Sequence, residues 1–499
     1  MTKYVYSFDE VKNGNSEEAQ FLLGNKGAQL AEMVSAGLNV PPGFTISTNG
    51  CNEYYALGKK WPQGLEKEVF EQLKKLENDT KKVFGGKENP LLVSVRSGSY
   101  VSMPGMMDTI LNLGLNDETV LGLEKKTNDR CAWDSYRRFL QMFGDVVLKV
   151  EHSDFEKAIQ NKKDTKGVEF DTELSVADLK DLVKEFKEII KKSTGKEFPQ
   201  SLQDQLKLAI NAVFESWNSD RAISYRRINH LRSDAGTGVN IQAMVFGNSG
   251  NSSATGVGFT RNPSNGAKEN YGEYLINAQG EDVVAGIRTP KAIDEMSKDL
   301  PNAYKELVGI YRKLEAHYKD IQDFEFTIEE NKLYLLQTRK GKRTAHAAVK
   351  IAVDLVKEGV IDEKEALLRV EANSLNQLLH KQLDPIAKGK AKLLAKGLPA
   401  SPGAAVGKAV FNAEKAHEMV TLNSAEKVIL VRNETSPDDI EGMHVSQGIL
   451  TARGGMTSHA AVVARGMGKC CVAGCQEIKV EEEHKKFTVN GTIVKEGDW

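Results

Sequence analysis

The sequence predicts a multidomain protein of the α/β and α+β classes. Its 499 residues exceed what one hydrophobic core organises, so we expect two to four domains. Hydrophobic residues make up 40% of the chain and charged residues 27%, as in ordinary globular proteins. Strand-like and helix-like stretches alternate near both ends, and a long amphipathic helical stretch lies between them. These observations indicate a mixed fold with several sheets.

Charge and cysteine content narrow the class of protein. The formal net charge of −2 gives no general attraction to nucleic acid or to anionic membranes, so we expect neither as a partner. No apolar run approaches the roughly 20 residues that span a bilayer, and residues 1–14 lack the apolar stretch of a signal peptide. The cysteines number five, and this odd count favours reduced thiols and a cytoplasmic location. A zinc site is not expected, because the cluster of Cys470, Cys471 and Cys475 lacks a paired CxxC spacing and a second cluster.

The first half of the chain shows a strand and helix pattern followed by helices. Residues 24–38 begin with glycines and continue at helical spacing, and residues 41–48 are typical of a turn into a strand. Residues 91–99 are rich in β-forming side chains. Residues 115–235 are charged and amphipathic and are predicted to be mainly helical. Short strands return over residues 237–290.

A stretch rich in Pro, Gly, Ala and Ser divides the second half. This stretch, residues 398–408, marks a domain boundary, and helical patterns precede it at 345–381. After the boundary, strand-like segments such as KVILVR and QGILTARGG alternate with short helical segments. The last hundred residues are therefore predicted to alternate strand and helix.

A β-hairpin is predicted around Asn331. Alternation places Asp323 and Glu325 on one face of its first strand. Gln337 and Arg339 share one face of its second strand. With a three-residue loop centred on Asn331, Glu325 lies opposite Gln337. In the same register Asp323 lies opposite Arg339. The apolar side chains predicted for the other face are Phe324, Phe326, Ile328, Tyr334 and Leu336.

The polar face of this hairpin has two interpretations. Two carboxylates and an amide are hard oxygen ligands, which suit Mg²⁺ bridging nucleotide phosphates. A guanidinium beside them suits the phosphoryl group that is transferred. A solvated hairpin with one cross-strand ion pair explains the same residues, and the hairpin alone does not decide between the two.

A lone histidine follows a glycine-rich hinge in GGMTSHAAVVARGMG, residues 454–468. Thr457 or Ser458 is a candidate N-cap, which puts His459 in the first turn of a short helix that a later glycine ends. Free N–H groups and the positive end of the helix dipole favour an anion there and keep the imidazole neutral. His459 is therefore a candidate nucleophile for phosphate, whereas packing is the ordinary role of a lone histidine.

A second glycine-rich stretch, SVRSGSYVSMPGMMDT, occupies residues 94–109. Arg96 ends a predicted strand, where a guanidinium can clamp phosphate oxygens and loop amides can surround the remaining ones. An arginine in this position more often forms a salt bridge. The two methionines after Gly105 are interpreted as exposed, which suggests a mobile lid.

In their details, GGMTSHAAVVARGMGKCCVAG and SMPGMMDT resemble the pyruvate, phosphate dikinase family. The resemblance extends over residues 1–499 with few gaps. It departs at Asn25, where the family usually has glycine. It also departs at Ser99 and Tyr100, where the family usually has Ala followed by Arg or Lys. The lysine and arginine of both motifs are kept, so phosphate binding is expected to survive, although loop flexibility can differ.

The resemblance implies roles for individual residues. The implied catalytic residues are Lys26, Arg96, Arg339 and His459, the last accepting the phosphoryl group. The implied contacts to nucleotide and phosphate are Lys26, Arg96, Gly105, Gln242, Thr255, Glu281, Asp323, Glu325, Gln337 and Arg339. The implied metal ligands are Asp323, Glu325 and Gln337. In plant members the threonine two residues before the histidine is a regulatory phosphorylation site, which makes Thr457 a candidate.

The resemblance also implies a domain plan. An ATP-grasp nucleotide-binding domain is expected at 1–340, with a helical insert at about 115–235. A helical linker follows at 341–389, and a swivelling β/β/α phosphohistidine domain at 390–499. The implied partners are ATP, AMP, orthophosphate and pyrophosphate, with Mg²⁺ and possible use of a monovalent cation. The family chain normally continues into a (β/α)₈ barrel of roughly 250 residues that binds pyruvate or phosphoenolpyruvate. We expect this chain to lack the barrel, to be a monomer and to perform only partial reactions.

Two alternative functions stay open from the sequence. A phosphoenolpyruvate synthase, or an antibiotic-phosphorylating relative, is expected to share the same two domains and to differ in its third substrate. A phosphocarrier or regulatory module is expected to accept phosphate at the histidine and to pass it to a partner protein. The SMPGMMDT and GMTSH motifs favour the dikinase.

Overall fold

A computed structural model of the chain describes residues 2–103, 105–285, 289–375 and 383–499. The chain divides into two compact units, Met1–Val245 and Phe246–Trp499. In the described ranges, no helix combines the length and the apolar character needed to cross a lipid bilayer. All five cysteines are free thiols, as the sequence predicts.

One antiparallel sheet forms the centre of the first unit. Its strands are β1 (Val5–Ser7), β2 (Gly43–Ile46), β3 (Val93–Ser99), β4 (Thr109–Leu113) and β5 (Thr237–Ala243). They lie in the order β1-β2-β5-β3-β4, so β3 is an inner strand. Every residue of β5 is buried, because this strand is paired on both sides and covered on both faces.

The helices of the first unit follow the predicted amphipathic pattern. They are α1 (Glu17–Ser35), α2 (Thr48–Ala56), α3 (Leu65–Thr80), α4 (Thr119–Lys126), α5 (Asp129–Met142), α6 (His152–Lys166), α7 (Val176–Thr194), α8 (Leu202–Ser216) and α9 (Asp220–Ile228). In α7, Leu179, Phe186 and Ile190 recur at helical spacing and are fully buried. Ser175 caps its first turn and Gly195 ends it with φ 72°. The prediction that residues 115–235 are mainly helical is confirmed.

The second unit begins with another antiparallel sheet. Its strands are β6 (Ala254–Phe259), β7 (Tyr271–Ile276), β8 (Lys291–Ala292), β9 (Gln322–Glu329) and β10 (Lys332–Lys340), in the order β10-β9-β6-β7-β8. The accompanying helices are α10 (Gly280–Ala285), α11 (Met296–Asp299), α12 (Pro301–Tyr318), α13 (Ala345–Lys357), α14 (Glu363–Arg369), α15 (Ala372–Leu375) and α16 (Pro385–Lys390). The prediction of strands up to residue 290 is wrong at 280–285, which are helical.

The hairpin of β9 and β10 has the predicted pairing at one end and a different turn at the other. Its loop has two residues, Glu330 and Asn331, both with positive φ, rather than three. A bulge at Leu336 restores the predicted register beyond it. The face opposite the polar one therefore carries Leu333 and Leu335, both fully buried. Tyr334 and Leu336, the β10 residues predicted for that face, are only half-buried, whereas the β9 residues predicted for it are buried.

A three-layer arrangement forms the C-terminal part of the second unit. Its larger sheet contains β11 (Leu398–Ser401), β12 (Lys408–Val410), β13 (Val428–Arg432), β14 (Gly448–Thr451) and β15 (Cys470–Ala473), in the order β11-β15-β14-β13-β12. The helices α17 (Ala413–Leu422), α18 (Ile440–Val445) and α19 (His459–Met467) connect the parallel strands β12 to β15. Because these crossovers run in one direction, right-handed connections place all three helices on one face.

A small antiparallel sheet covers the other face. Its strands are β16 (Lys479–Glu481), β17 (Lys486–Val489) and β18 (Thr492–Lys495). Val431 of β13 packs in one buried cluster with Val480 of β16 and Phe487 of β17. Two sheets and a helical layer therefore give the predicted β/β/α arrangement.

Candidate functional site

His459 is the first residue of α19 and lies at the carboxyl end of the parallel strands. The helix begins after the loop that follows β14, and Gly468 ends it with φ 65°. Ser458 holds the N-cap position, but its side chain makes no cap hydrogen bond. The expected position in the first helical turn is confirmed. Of the two candidate N-caps, Ser458 holds the position without a side-chain hydrogen bond, and Thr457 does not, because its hydroxyl donates to Glu273.

The imidazole is held from one side only. Thr435 follows β13, the strand next to β14, and its Oγ1 lies 3.0 Å from His459 Nδ1. Nε2 is buried and makes no hydrogen bond with any residue that the structure describes. Burial lowers the pKa of His459 to about 4, so the ring is neutral at pH 7. In the tautomer with hydrogen on Nδ1, Thr435 accepts that hydrogen and the Nε2 lone pair is available as a nucleophile.

Arg465 fixes the loop that precedes the histidine. Its side chain is 3% exposed and lies six residues along α19. It donates to the carbonyl oxygen of Met456 at 2.7 Å and to that of Ala400 at 3.3 Å. The buried guanidinium therefore ties α19 to the loop and to β11.

Five predicted residues lie on one face of the sheet that begins the second unit. Strand register aligns Glu325 of β9 with Gln337 of β10, and Asp323 with Arg339. Thr255 of β6 lies opposite Thr327, two residues along β9 from Glu325, and therefore shares this face. The structure confirms the pairing that the sequence predicts for the hairpin. We call this surface the polar face.

The charged side chains of the polar face form ion pairs with one another. Arg339 Nε donates to Asp323 Oδ2 at 2.8 Å, and Arg339 Nη2 lies 3.6 Å from Glu325 Oε1. Burial opposes the charge of Arg339, but the two carboxylates outweigh burial and raise its pKa. Burial raises the pKa of Asp323, although Arg339 opposes that shift. Arg339 is thus charged and held rigidly in place.

The oxygen atoms of Asp323, Glu325 and Gln337 form a small set of hard ligands. Mg²⁺ is usually held by one or two carboxylates together with substrate phosphates, rather than by a cage made of protein alone. The described residues contain no group of three or more His, Cys, Asp and Glu side chains that could hold a metal ion. The set therefore fits Mg²⁺ that arrives with a nucleotide, and it does not form a complete site without one.

Helix α19 lies across the polar face. At its N-terminal end, Glu273 of β7 accepts hydrogen bonds from Met456 N at 3.2 Å and from Thr457 Oγ1 at 3.1 Å. Glu273 aligns with Val257 of β6, which aligns with Glu325.

Further along α19, the Arg465 guanidinium lies 5.8 Å from the centre of the Phe259 ring of β6. At the C-terminal end, Lys342 Nζ lies 3.2 Å from the position that a methyl group on Gly466 would occupy. The helix that begins with His459 thus crosses from β7, over β6, to the segment after β10.

In the first unit, glycines bring Lys26 and Arg96 into neighbouring segments. Helix α1 is broken at Gly24, with φ 70° and ψ 160°, a conformation open essentially to glycine alone. A methyl group there would lie 1.7 Å from the carbonyl oxygen of Gly98. A methyl group on Gly98 would in turn lie 3.1 Å from Lys26 Cβ. The turn of α1 that carries Lys26 therefore packs on β3 two residues from Arg96.

Tyr100, one of the departures from the family pattern, also ties these two segments together. Its ring stacks on that of Phe21 with the centroids 4.3 Å apart and the planes 10° from parallel. Phe21 lies in α1, five residues before Lys26. The aromatic pair thus joins the end of β3 to α1.

The remaining predicted residues are placed as follows. Gly105 is exposed with φ 73°, and Gln242 is buried in β5 with its Nε2 donating to Pro41 O at 3.1 Å. Glu281 lies in α10, and its side chain is outside the described part of the structure. The prediction of an exposed methionine pair after Gly105 is wrong, because Met106 is fully buried.

Two families match the chain. The family described as "Pyruvate phosphate dikinase, AMP/ATP-binding domain" matches residues 20–83, 57–302 and 297–359. The family described as "PEP-utilising enzyme, mobile domain" matches residues 424–493. The first match covers well over half of the chain. The chain belongs to the pyruvate phosphate dikinase family.

Curated relatives agree with this membership. "Pyruvate, phosphate dikinase" of Clostridium symbiosum is 57% identical over 504 residues, which are 100% of this chain and 57% of that protein. "Pyruvate, phosphate dikinase 1, chloroplastic" of Arabidopsis thaliana is 55% identical over 497 residues, 100% of this chain and 51% of that protein. "Pyruvate, phosphate dikinase 2" of Zea mays is 53% identical over 496 residues, 99% of this chain and 56% of that protein. The chain spans about half the length of these relatives.

Three residues of the site were not identified from the sequence. Thr435, Glu273 and Arg465 fall inside the two family matches, but each acts through a contact between elements distant in sequence. A charged residue within the small apolar helix of AAVVAR was the only signal for Arg465. Glu273 and Thr435 lie in ordinary strand and loop sequence and gave none.

Proposed function

We propose that this chain catalyses the ATP-dependent phosphorylation of His459 as part of a pyruvate, phosphate dikinase reaction. In the first step Nε2 attacks the β-phosphorus of ATP. The bond from that phosphorus to the oxygen shared with the α-phosphate breaks, and AMP leaves. In the second step orthophosphate attacks the terminal phosphorus of the pyrophosphohistidine, which gives pyrophosphate and phosphohistidine.

The observation that carries this proposal is the position of α19 across the polar face. The helix that begins with His459 lies against the strands that bear Asp323, Glu325 and Arg339. An anion bound at those residues would meet a neutral imidazole beside a helix N-terminus, where free amides can receive the new negative charge. The hydrogen on Nδ1 would stay there during attack, hydrogen-bonded to Thr435 Oγ1. The lone pair of Nε2 is already free, so the nucleophile needs no separate base.

The contacts to the nucleotide are assigned as the family resemblance implies them. Lys26, Arg96 and Gly105 are assigned to the phosphates, and Gln242, Thr255 and Glu281 to the rest of the nucleotide. Asp323, Glu325 and Gln337 would hold Mg²⁺, which when bound neutralises phosphate charge. Arg339 would bind the phosphoryl oxygens.

Movement of the histidine domain would link these steps to pyruvate. We assign residues 1–340 to nucleotide binding, 341–389 to a linker and 390–499 to the histidine domain. The polar contacts of α19 with the polar face are few, as expected of a contact that must open. The third step, phosphorylation of pyruvate, is assigned to a barrel that is not found among the described residues. We expect a monomer, so sedimentation should give the mass of one chain.

Radiolabelling tests the first step. With [β-³²P]ATP and Mg²⁺, the native chain is expected to retain one label per chain, and His459→Ala none. His484→Ala is the matched control, because its side chain is 70% exposed in the same domain and should label normally. Arg339→Ala is expected to lose labelling while retaining its circular dichroism spectrum. Label retained by His459→Ala would refute the proposal.

The third substrate separates the dikinase from its alternatives. With [γ-³²P]ATP, a dikinase releases label as pyrophosphate only when orthophosphate is added. A phosphoenolpyruvate synthase would release the label as orthophosphate without it. Release independent of added orthophosphate would contradict the dikinase assignment but leave His459 phosphorylation intact.

A further inference from the structure

Lys342 is fixed next to the polar face but takes no part in its ion pairs. It follows β10 and lies three residues after Arg339. Its backbone is held on both sides, since Gly341 N donates to Ile321 O at 3.0 Å and Thr344 caps α13. Arg343 forms an ion pair with Asp320 at 2.7 Å. The position of Lys342 is therefore set by the sheet rather than by its own side chain.

The ammonium group of Lys342 reaches the helix that carries His459. A methyl group on Gly466 would lie 3.2 Å from Nζ, so the missing side chain leaves room for the lysine. Gly466 is seven residues from His459, which is about 10 Å along a helix that rises about 1.5 Å per residue. A pyrophosphoryl group on the histidine, followed by an attacking orthophosphate, would extend over a distance of this order.

Lys342 has no anionic partner in the described part of the chain. It makes no ion pair or hydrogen bond with any described residue, whereas Arg339 binds Asp323 and Arg465 binds two carbonyl oxygens. Burial lowers the pKa of Lys342, the charges of Arg339 and Arg465 lower it further, and the charge of Asp323 only partly offsets them. Keeping a half-buried ammonium group charged without a partner costs free energy, and a bound anion would reduce that cost.

We propose that Lys342 binds a phosphoryl oxyanion at the end of the polar face near Gly466, either the terminal phosphate of ATP or orthophosphate. The inference rests on the proposed function and adds a phosphate-binding residue to it. The fixed backbone, the approach to α19 and the absence of a protein anion support it. A lysine serves this purpose as a point charge, whereas Arg339 beside it can bind oxygens in pairs.

Lys342→Met tests the assignment, with Lys340→Met as the matched control. Lys340 lies two residues away, is 68% exposed and approaches Asp320 at 3.9 Å. Two reactions are measured in each variant: AMP release as a function of ATP concentration, and pyrophosphate release from labelled enzyme as a function of orthophosphate concentration. Because a hydrogen bond between charged groups is worth about 1.5–3 kcal/mol, Lys342→Met should raise one half-saturating concentration about 10- to 100-fold. Lys342→Arg should recover most of the loss.

The two reactions identify the phosphate. A shift confined to ATP assigns Lys342 to the terminal phosphate, and a shift confined to orthophosphate assigns it to the acceptor. A lower maximal rate with unchanged half-saturation would mean that Lys342 only positions α19, and would overturn the inference. Equal effects of Lys342→Met and Lys340→Met would also overturn it. If the native chain labels His459 and Lys342→Met behaves like it, the lysine assignment fails while the proposed function stands.

Discussion

Burial determines the protonation of His459, and under the proposed function only the neutral ring can attack phosphorus. The ring has one hydrogen-bond partner, Thr435, and a buried Nε2 that bonds to no described residue. An exposed histidine would be partly protonated near pH 6.5 and would lose its nucleophilic lone pair. Burial of His459 keeps the ring neutral, with its lone pair available, to lower pH than in an exposed histidine.

The ring is therefore expected to stay neutral well below pH 6.5. Its folded-state pKa is about 4, below the unfolded value, so the stability that its burial allows is complete above pH 6.5 and is lost as the pH falls toward 4. In NMR, the ring protons of His459 should keep their neutral shifts at pH 5.5. His152 provides the contrast, because its hydrogen bond with Asp145 raises its pKa. Titration of both rings above pH 6 would contradict the buried, neutral state.

At the scale of elements, the break in α1 is the strongest local constraint on the first unit. Gly24→Ala would place a methyl group 1.7 Å from a backbone oxygen in a conformation with φ 70°. We expect a loss of more than about 2 kcal/mol in the free energy of unfolding, because strain and a clash add. Gly167→Ala is the control, with φ 66° and no atom within 4 Å of the added group. It should cost about 1 kcal/mol. Urea unfolding of both variants measures the difference, and equal losses would show that the Gly98 contact is unimportant.

The hairpin of β9 and β10 shows what period and spacing can predict. Alternation together with a loop centred on Asn331 predicted that Glu325 faces Gln337 and that Asp323 faces Arg339, and both pairs are present. The predicted turn was wrong, because one residue fewer in the loop is offset by one extra residue in the bulge at Leu336. Two errors of one residue cancelled, so the polar face was predicted correctly. The apolar face was predicted correctly on β9, at Phe324, Phe326 and Ile328, but not on β10.

Contacts between distant elements could not be predicted in this way. Glu273 lies in β7 and meets the loop before His459, about 180 residues later in the chain. Such a contact depends on how two folded parts pack, and local propensity carries no information about it. The burial of Met106 was missed for the same reason, since a Pro-Gly turn predicts exposure but says nothing of what packs behind it.

At the scale of the whole molecule, the proposed function requires that α19 can both contact the polar face and leave it. Glu273 provides the polar contacts at the histidine end, through Met456 N and Thr457 Oγ1. Its carboxylate is largely removed from water, and this burial raises its pKa. A contact that depends on one such carboxylate is sensitive to any negative charge placed against it.

Thr457 is therefore the position at which added charge should separate the two parts. Thr457→Glu brings a second carboxylate to Glu273, whose Oε2 lies 3.1 Å from the native hydroxyl, so labelling of His459 should fall at least tenfold. Thr457→Ser keeps the hydroxyl and should label normally. Adding Glu273→Gln to Thr457→Glu should restore labelling, because an amide can donate to the new carboxylate. Amide hydrogen exchange over residues 455–467 should rise in Thr457→Glu and fall again in the double variant. If the single and double variants are equally impaired, repulsion by Glu273 is not the cause, and phosphorylation of Thr457 would have to act in another way.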